Sequence, residues 1–423
     1  MKKLVLMMGV ALIGAGVFPA VVLADEAASK GKFVQGKGTK SNAAYQGTAG
    51  GPLYEYGRGL QLGPINLKPY IEYIAKWESN IFYDPSGEKD DFIHRVDLGL
   101  TAEMPFGGGQ HTATASYLAE IEWFSRFDNQ NHDDHTIQGD LDLNYVPFGL
   151  NVKDVFRKTV SRADTEFTER VKRDENTFNS LLEIPFTKFF LETELEDFNI
   201  DYDSAANSVF DHNILTVFQR VGFDIAPSTQ LLAEYGHLFI GYDRSLEERD
   251  GHADQISMGL RGNWGAKITY QVWPGVQWRI YDEASRPDYH DFILRAALQY
   301  DITEKSNIIL RGSRNPVEST FDGQSFYTQN RGEIAWRQQI AERIYFQTNE
   351  TLNFNEYSRT STRGGQDKVR EDAVWQTGLS LEYFMPNELV MLFCEYKFTG
   401  RDSNTFDLDY GNHSVSAGIR GNF

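Results

Sequence analysis

The 423 residues carry 60 acidic against 41 basic side chains, nine histidines and one cysteine, for a formal charge of −19. Such an acidic chain is a poor partner for nucleic acid, the lone Cys394 excludes an intrachain disulfide, and the low mean hydropathy excludes a bundle of spanning helices. It does not exclude a membrane barrel, in which only alternate residues of each strand face lipid.

The chain opens with Met1, Lys2 and Lys3, runs apolar from Leu4 to about Phe18, then reaches Val22-Leu23-Ala24 before Asp25 and Glu26. A basic start, a short apolar core and a small residue before the cut make a secretory signal peptide, residues 1–24, with cleavage predicted after Ala24. The apolar run is too short for a comfortable spanning helix, and no cysteine follows it to carry a lipid anchor. The mature protein is expected to pass the inner membrane. Residues 25–67, rich in Gly, Ala, Lys, Ser and Gln, read as a flexible periplasmic lead-in.

From Lys68 to Phe423 short alternating stretches recur without a helical period. Val96, Leu98, Leu100, Ala102 and Met104 interleave with Arg95, Asp97, Gly99, Thr101 and Glu103. In the clearest stretch, Ile137, Gly139, Leu141, Leu143 and Tyr145 interleave with Gln138, Asp140, Asp142 and Asn144. One face of such a strand can meet lipid; a helix would spread the acids around every side. Ile256, Met258 and Leu260 repeat the pattern, as do Val390, Leu392, Cys394, Tyr396 and Phe398, and finally Val415, Ala417, Ile419 and Phe423.

Connections come in two alternating sizes. Tight ones include Pro105 to Gly109, Pro147 to Gly149, Pro185 to Thr187, Ala226 to Thr229, Gly265-Ala266, Thr303 to Lys305 and Pro386-Asn387. Long polar ones are expected at Asn80 to Asp90, Asp128 to Asp134, Ser161 to Asp174, Asp201 to Asp211, Asp243 to Gly251, Glu283 to Tyr289, Asn315 to Asp322, Tyr357 to Val369 and Gly400 to Asp407. This predicts an all-β protein: a transmembrane antiparallel up-and-down barrel over residues 68–423, of about 18 strands (roughly 16–20), with both termini in the periplasm of a Gram-negative cell. A propeller or solenoid would carry a fixed-length repeat, and none is visible. Aromatic residues such as Trp77, Trp123, Tyr145, Trp264, Tyr300, Trp375 and Tyr383 crowd strand ends, as interfacial girdles do.

If apolar residues face lipid, the other face lines a wide polar pore. Its first half is mostly acidic, with Glu103, Glu120, Glu122, Asp140, Asp142, Glu192, Glu194 and Glu196. Its second half is mostly basic, with Arg261, Arg279, Arg295, Arg311, Arg331, Arg337 and Arg420. Standing opposite each other, such walls set up a transverse field that orients polar solutes. The competing expectation is local pairing between neighbours, as for Arg331 and Glu333 on one strand. Trp273 and Tyr281 are a candidate sugar platform, beside Gln271, Gln277 and Arg279; the bland alternative is that they fill space.

Other constellations are weaker. His132, Asp133, Asp134 and His135, read as part of a loop, have metal-ligand chemistry but are too closely spaced to converge on one ion. Asp84, Glu88, Asp90 and Asp91 lack the ordered spacing of a calcium loop. His94, His237 and His413 offer acid–base partners, but no nucleophile motif accompanies them, so no enzyme, metal or cofactor is expected.

Leu62-Gly63-Pro64-Ile65-Asn66-Leu67-Lys68-Pro69, leading to Trp77-Glu78-Ser79-Asn80-Ile81-Phe82-Tyr83-Asp84, resembles the opening of a family of outer-membrane β-barrel porins found with exopolysaccharide and capsule synthesis systems. The resemblance extends over about residues 60 to 423 and brings no catalytic residues. It implies passive export of a polysaccharide, anionic or neutral, with a periplasmic polysaccharide-export protein as partner. The acidic half of the lining departs from what an anionic polymer needs, which keeps general diffusion or oligosaccharide uptake open, with a structural or adhesive barrel third. A loop folded into the lumen would favour a sieving porin. Outer-membrane lipids, lipopolysaccharide and the barrel-assembly machinery are the other expected partners. Phe423, outward on the last strand, resembles the terminal signal read by that machinery. Deleting it is expected to slow insertion, measured as the rate at which the heat-modifiable folded form accumulates; an unchanged rate would remove that role.

Overall fold

A computed structural model describes residues 59–423, apart from 163–165, 244–248, 285, 287, 322–323, 364–365, 387–388 and 406. The predicted signal peptide and most of the lead-in lie outside the described residues. Nineteen strands follow in order: β1 (Leu60–Leu62), β2 (Ile65–Glu78), β3 (Asp91–Phe106), β4 (His111–Phe124), β5 (His132–Asn144), β6 (Gly149–Thr159), β7 (Arg173–Pro185), β8 (Phe189–Tyr202), β9 (His212–Ala226) and β10 (Thr229–Tyr242). They continue as β11 (Gly251–Trp264), β12 (Ile268–Tyr281), β13 (Tyr289–Thr303), β14 (Ser306–Glu318), β15 (Phe326–Ala341), β16 (Ile344–Arg363), β17 (Gln366–Phe384), β18 (Val390–Ser403) and β19 (Tyr410–Asn422).

From β2 to β19 each strand pairs antiparallel with its sequence neighbours, and β19 closes on β2 with Ser414 opposite Glu78 and Asn422 opposite Tyr70. The result is a closed up-and-down barrel of eighteen strands. Lipid cannot hydrogen-bond an open edge, so closure is the condition for such a sheet to span.

The pleat then sorts the side chains. On β5, Ile137 points outward and is 53 % exposed, while its neighbour Gln138 points inward and is 2 % exposed. Inward Asp140 lies opposite Thr114 and Lys153, inward Asp142 opposite Thr112 and Asn151. Outward Leu98, Leu100, Met258, Leu260, Val415 and Ile419 lie among the exposed large hydrophobics. Cys394 is also on this outer wall, as a free thiol.

One rim has short turns, from 107–110 to 385–389, and the other the long connections, from 79–90 to 404–409. Several expected loops are partly strand. His132 to Asp134 belong to β5, Asn315 to Glu318 finish β14 and Gly400 to Ser403 finish β18, while Asp201 and Asp174 lie at the ends of β8 and β7. The expected loop from Tyr357 to Val369 is mostly a hairpin, because the β16–β17 ladder continues to Arg363 opposite Gln366. Polar residues there extend a ladder beyond the membrane, where both faces can be wet, so the alternation that marks a strand is lost.

The lead-in is not flexible to its expected end at residue 67. β1 folds back on the start of β2, Leu60 opposite Leu67 and Leu62 opposite Ile65. The turn between them contains Gly63, at φ +62°, a left-handed conformation that glycine adopts without strain. β1 lies on the same edge of β2 as β19.

Because the lipid face of β5 follows from register, Leu141→Arg puts a charge among lipid-facing neighbours. It is expected to cost about 2–4 kcal/mol of barrel stability, read from reversible unfolding in lipid vesicles. No change would mean that the register is off by one residue.

Candidate functional site

The closed barrel encloses a lumen, and the strand register delivers every predicted lining residue to it. It does not leave the acidic and basic groups as two separate walls. Glu192 of β8 accepts from Arg261 Nη2 of β11 at 2.7 Å, so a residue of the acidic half touches one of the basic half. Arg220 of β9 lies between Glu194 at 2.6 Å and Glu234 of β10 at 2.6 Å, and Glu234 also pairs with Arg295. Gln255 Nε2 donates to Glu234 at 3.1 Å.

The remaining lining charges pair mostly between adjacent strands. Glu103 meets Lys68 at 2.8 Å, and Glu120 meets Arg95. Arg311 and Arg331 share Glu333 at 2.7 and 3.6 Å, Arg337 meets Glu382 at 3.4 Å, Arg420 meets Glu72, and Arg279 meets Glu318. Asp140 accepts from Asn151, Asp142 from Asn144, and Glu194 and Glu196 both accept from Asn179. A guanidinium on a long stem reaches the next strand more readily than it stays extended into the lumen, so the segregation visible along the chain is largely neutralised in space.

Nor is the lining a wide wet surface. Glu192, Arg220, Glu234 and Arg261 are all at most 2 % exposed. Trp273 is equally buried, packed with Phe190 and Leu232 and lying against Gly259, where a Cβ would stand 2.4 Å from the indole ring. Tyr281 sits in a different cluster with Tyr289, Ile293 and Phe326. The two rings of the expected sugar platform therefore fill space in separate packed clusters, because each finds apolar partners on neighbouring strands.

At the rim of long connections, the described residues between β6 and β7, 160–162 and 166–172, reach across the mouth. Val171 anchors them in a cluster with Ile200 and Tyr202, joined by Phe167 of the same connection. From there Arg170 reaches Glu122 of β4 at 3.6 Å and stacks over Phe124. Arg162 Nη2 donates to the Ile81 carbonyl at 2.7 Å, and its guanidinium lies 3.5 Å from the Tyr83 ring centroid. Tyr83 stacks on Tyr410 at 4.4 Å, and Arg401 of β18 covers Tyr410 in turn. Glu166 takes Ser319 Oγ at 2.8 Å, Thr320 N–H at 2.6 Å and Thr320 Oγ1 at 3.0 Å. Ser319 and Thr320 follow β14, eight strands round from the β6–β7 connection in an eighteen-strand ring, so this contact bridges nearly the full diameter. Arg249 Nη1 donates to the Ser319 carbonyl at 2.6 Å, tying a third connection to the same point.

Sequence reasoning placed residues 161–174 in a loop but did not see Glu166 as its anchor. Glu166 and Ser319 are 153 residues apart, and no local pattern marks such a contact. Arg220 and Glu234 were missed for another reason: their inward neighbours Phe218 and Leu232 are apolar, which blurs the alternation.

The expected metal constellations do not assemble. His132 and Asp134 point inward and Asp133 and His135 outward, since successive strand residues take opposite faces. Asp84 accepts the backbone N–H groups of Ser86 and Gly87, both at 3.0 Å, which hold its carboxyl below the usual carboxylate range. Asp90 pairs with Arg126, and Asp91 accepts backbone N–H groups of Arg126 and Phe127. Among the described residues no group of three or more His, Cys, Asp or Glu side chains is placed to hold a metal ion.

The family model described as "Putative beta-barrel porin 2" matches residues 52–423. No curated protein matches the sequence. Similar solved structures include the outer membrane protein OpdK of Pseudomonas aeruginosa, at 9 % identity and TM-score 0.48, covering 85 % of this chain and 99 % of that one. OccAB3 of Acinetobacter baumannii is similar at 10 % identity and TM-score 0.45, over 86 % and 100 %. A BenF-like porin of Pseudomonas fluorescens Pf-5 is similar at 8 % identity and TM-score 0.48, over 86 % and 100 %.

Arg220 holds Glu194 and Glu234 at 2.6 Å and lies 3.6 Å from Glu192, so its removal leaves buried acids short of counter-charge. Arg220→Met is expected to destabilise the folded barrel by about 3–5 kcal/mol, while Arg220→Met with Glu194→Gln and Glu234→Gln recovers much of the loss. Equal unfolding midpoints for wild type and the single variant would mean the network contributes nothing.

Proposed function

The chain belongs to the "Putative beta-barrel porin 2" family, and on that premise we propose that it is a non-enzymatic outer-membrane channel that sieves small polar solutes by passive diffusion. The observation that carries this reading is Glu166, which lies between β6 and β7 and is pinned to Ser319 and Thr320 on the far side of the mouth. A duct for hydrated polysaccharide needs a clear bore through which many sugar units pass in file. A contact across the mouth, above a lining of mutually buried charges, divides it into smaller passages. Uptake of small solutes therefore fits the geometry better than the polymer export implied by the sequence resemblance.

The paired lining suits this role. Alternating carboxylates and guanidiniums offer exchangeable hydrogen bonds to hydroxyls and charges alike, without a net well deep enough to trap a solute. In passive diffusion the solute gradient sets the direction.

The test is planar-bilayer conductance together with swelling of proteoliposomes in sugars of graded size. Wild type is expected to conduct ions and admit mono- and disaccharides but exclude longer oligosaccharides. Glu166→Ala removes three hydrogen bonds to a carboxylate, each worth about 1.5–3 kcal/mol, and is expected to raise both conductance and the size limit. A wild-type channel that passes long oligosaccharides freely would favour export; one that conducts nothing, with Glu166→Ala equally silent, would favour a structural barrel.

A further inference from the structure

Six of the nine histidines project from the outer wall: His94, His135, His237, His252, His290 and His413. All six lie in the half of their strands next to the long loops, and none lies near the short turns. Aromatic residues serve at both membrane interfaces, as Trp77 and Trp123 do near the loops and Tyr300 and Tyr383 near the turns. The histidines are confined to one. Whatever they meet is in the outer leaflet only.

The seam of the barrel shows their geometry best. Across β19, β2, β3, β4 and β5 the loop-side wall reads His413, Trp77, His94, Trp123, His135. His94 and Trp123 are register partners. Each of these histidines has a tyrosine from the preceding strand at a centroid distance of 6.1 Å, stacked at His94 and His135 and tilted at His413, and hydrogen-bonded to Nδ1: Tyr73 to His94 at 2.7 Å, Tyr117 to His135 at 2.9 Å and Tyr396 to His413 at 2.9 Å. In His135 the Nε2 meets a carboxylate and so carries the proton, which makes the tyrosine hydroxyl the donor to Nδ1; the same arrangement at His94 and His413 leaves the free end of each ring a donor. The Nε2 of His135 is taken by Asp133 at 2.7 Å. Among the described residues nothing takes Nε2 of His94 or His413. These two lie on either side of β2, His94 opposite Ala75 and His413 beside Ser79, so that two strand spacings and four residues along the strand set them about 16 Å apart, with the exposed Trp77 midway between them.

We propose that His94 and His413, oriented by Tyr73 and Tyr396 and flanking Trp77, bind a phosphate-bearing lipid of the outer leaflet. Two aimed N–H donors suit the oxygens of sugar-borne phosphates, and the indole between them gives the lipid an amphipathic flat surface at headgroup depth. A plain aromatic girdle would need neither the histidines nor their tyrosine partners. The site is on the outer wall, so it stands whether or not the sieving reading does.

The experiment uses the full-length barrel in detergent, with lipid retention followed by native mass spectrometry. The probes are a bisphosphorylated lipid A, its dephosphorylated analogue, and inorganic phosphate as competitor. The double variant His94→Phe with His413→Phe keeps the aromatic belt and is expected to bind the phosphorylated lipid about tenfold more weakly, the order expected for losing one or two hydrogen bonds to phosphate. His135→Phe, whose Nε2 is already engaged, is expected to bind as wild type does, and the dephosphorylated lipid is expected to bind weakly to every form. Tyr73→Phe with Tyr396→Phe, which frees the rings, is expected to fall between. Equal retention by wild type and the double variant would overturn the proposal, as would equal retention of the two lipids or the same loss from His135→Phe. Displacement by millimolar inorganic phosphate would also overturn it, by marking a free-anion site. Unchanged conductance and melting in all variants separates this outcome from a folding defect.

Discussion

A peptide group facing hydrocarbon has no partner except the next strand, and the pairing of β19 with β2 is where that condition is met for the whole wall. Every other ladder joins strands that are neighbours in sequence, by turns of a few residues or by loops. This one joins residues more than three hundred positions apart, Ser414 with Glu78 and Asn422 with Tyr70. Once it forms, the alternation of each strand becomes an inside and an outside. The inward charges then have only one another for company, and the long connections have only the mouth to fold across. Register, lining and lid all follow from closure.

Closure also decides how the charges behave. The lining was written along the chain as an acidic first half and a basic second half, but in a closed wall the ends of those halves become neighbours of other strands. Arg261 leans over to Glu192, Arg420 sits beside Glu72 of the first long strand, and Arg220 gathers Glu194 and Glu234. A buried pair contributes little net stability compared with apolar packing but penalises any rearrangement that separates it. The lumen is thereby held in one arrangement, which a sieve requires and a distensible duct does not.

How much was legible follows the same physics. Alternation is a local property of two faces, so the strands from Val96 to Met104 and from Ile137 to Asn144 could be read directly, as could the two classes of connection. Strand ends beyond the membrane were less legible: at Tyr357 to Arg363 and at His132 to Asp134 both faces are polar, and a ladder looks like a loop. Long-range contacts were not legible at all. Nothing near Glu166 predicts Ser319, nothing near Trp273 predicts that it will lie on Gly259 rather than offer an open face, and nothing near His94 says that Tyr73 will aim it. The resemblance to porins was carried by a motif in the lead-in, and the family match bears out that part; the link to polysaccharide export had no residue of its own to stand on.

The short strand β1 bears on the two ends of the chain. Asn422 lies opposite Tyr70, the Phe423 N–H donates to the Pro69 carbonyl at 3.1 Å, and Leu60 lies opposite Leu67 on the same edge of β2. The beginning and the end of the barrel thus share one lane of the sheet, end to end, with only Lys68 of β2 between them. Proline suits that junction, since it has no N–H to offer where one partner strand stops and the next begins. The lane has a fixed length. A residue appended after Phe423 has to turn out of the wall or dislodge Leu60, and a segment lost before Ile65 uncovers peptide groups that β19 is too short to reach. β1 and the end of β19 are in effect a single joint, and a change in the length of either strand is felt by the other.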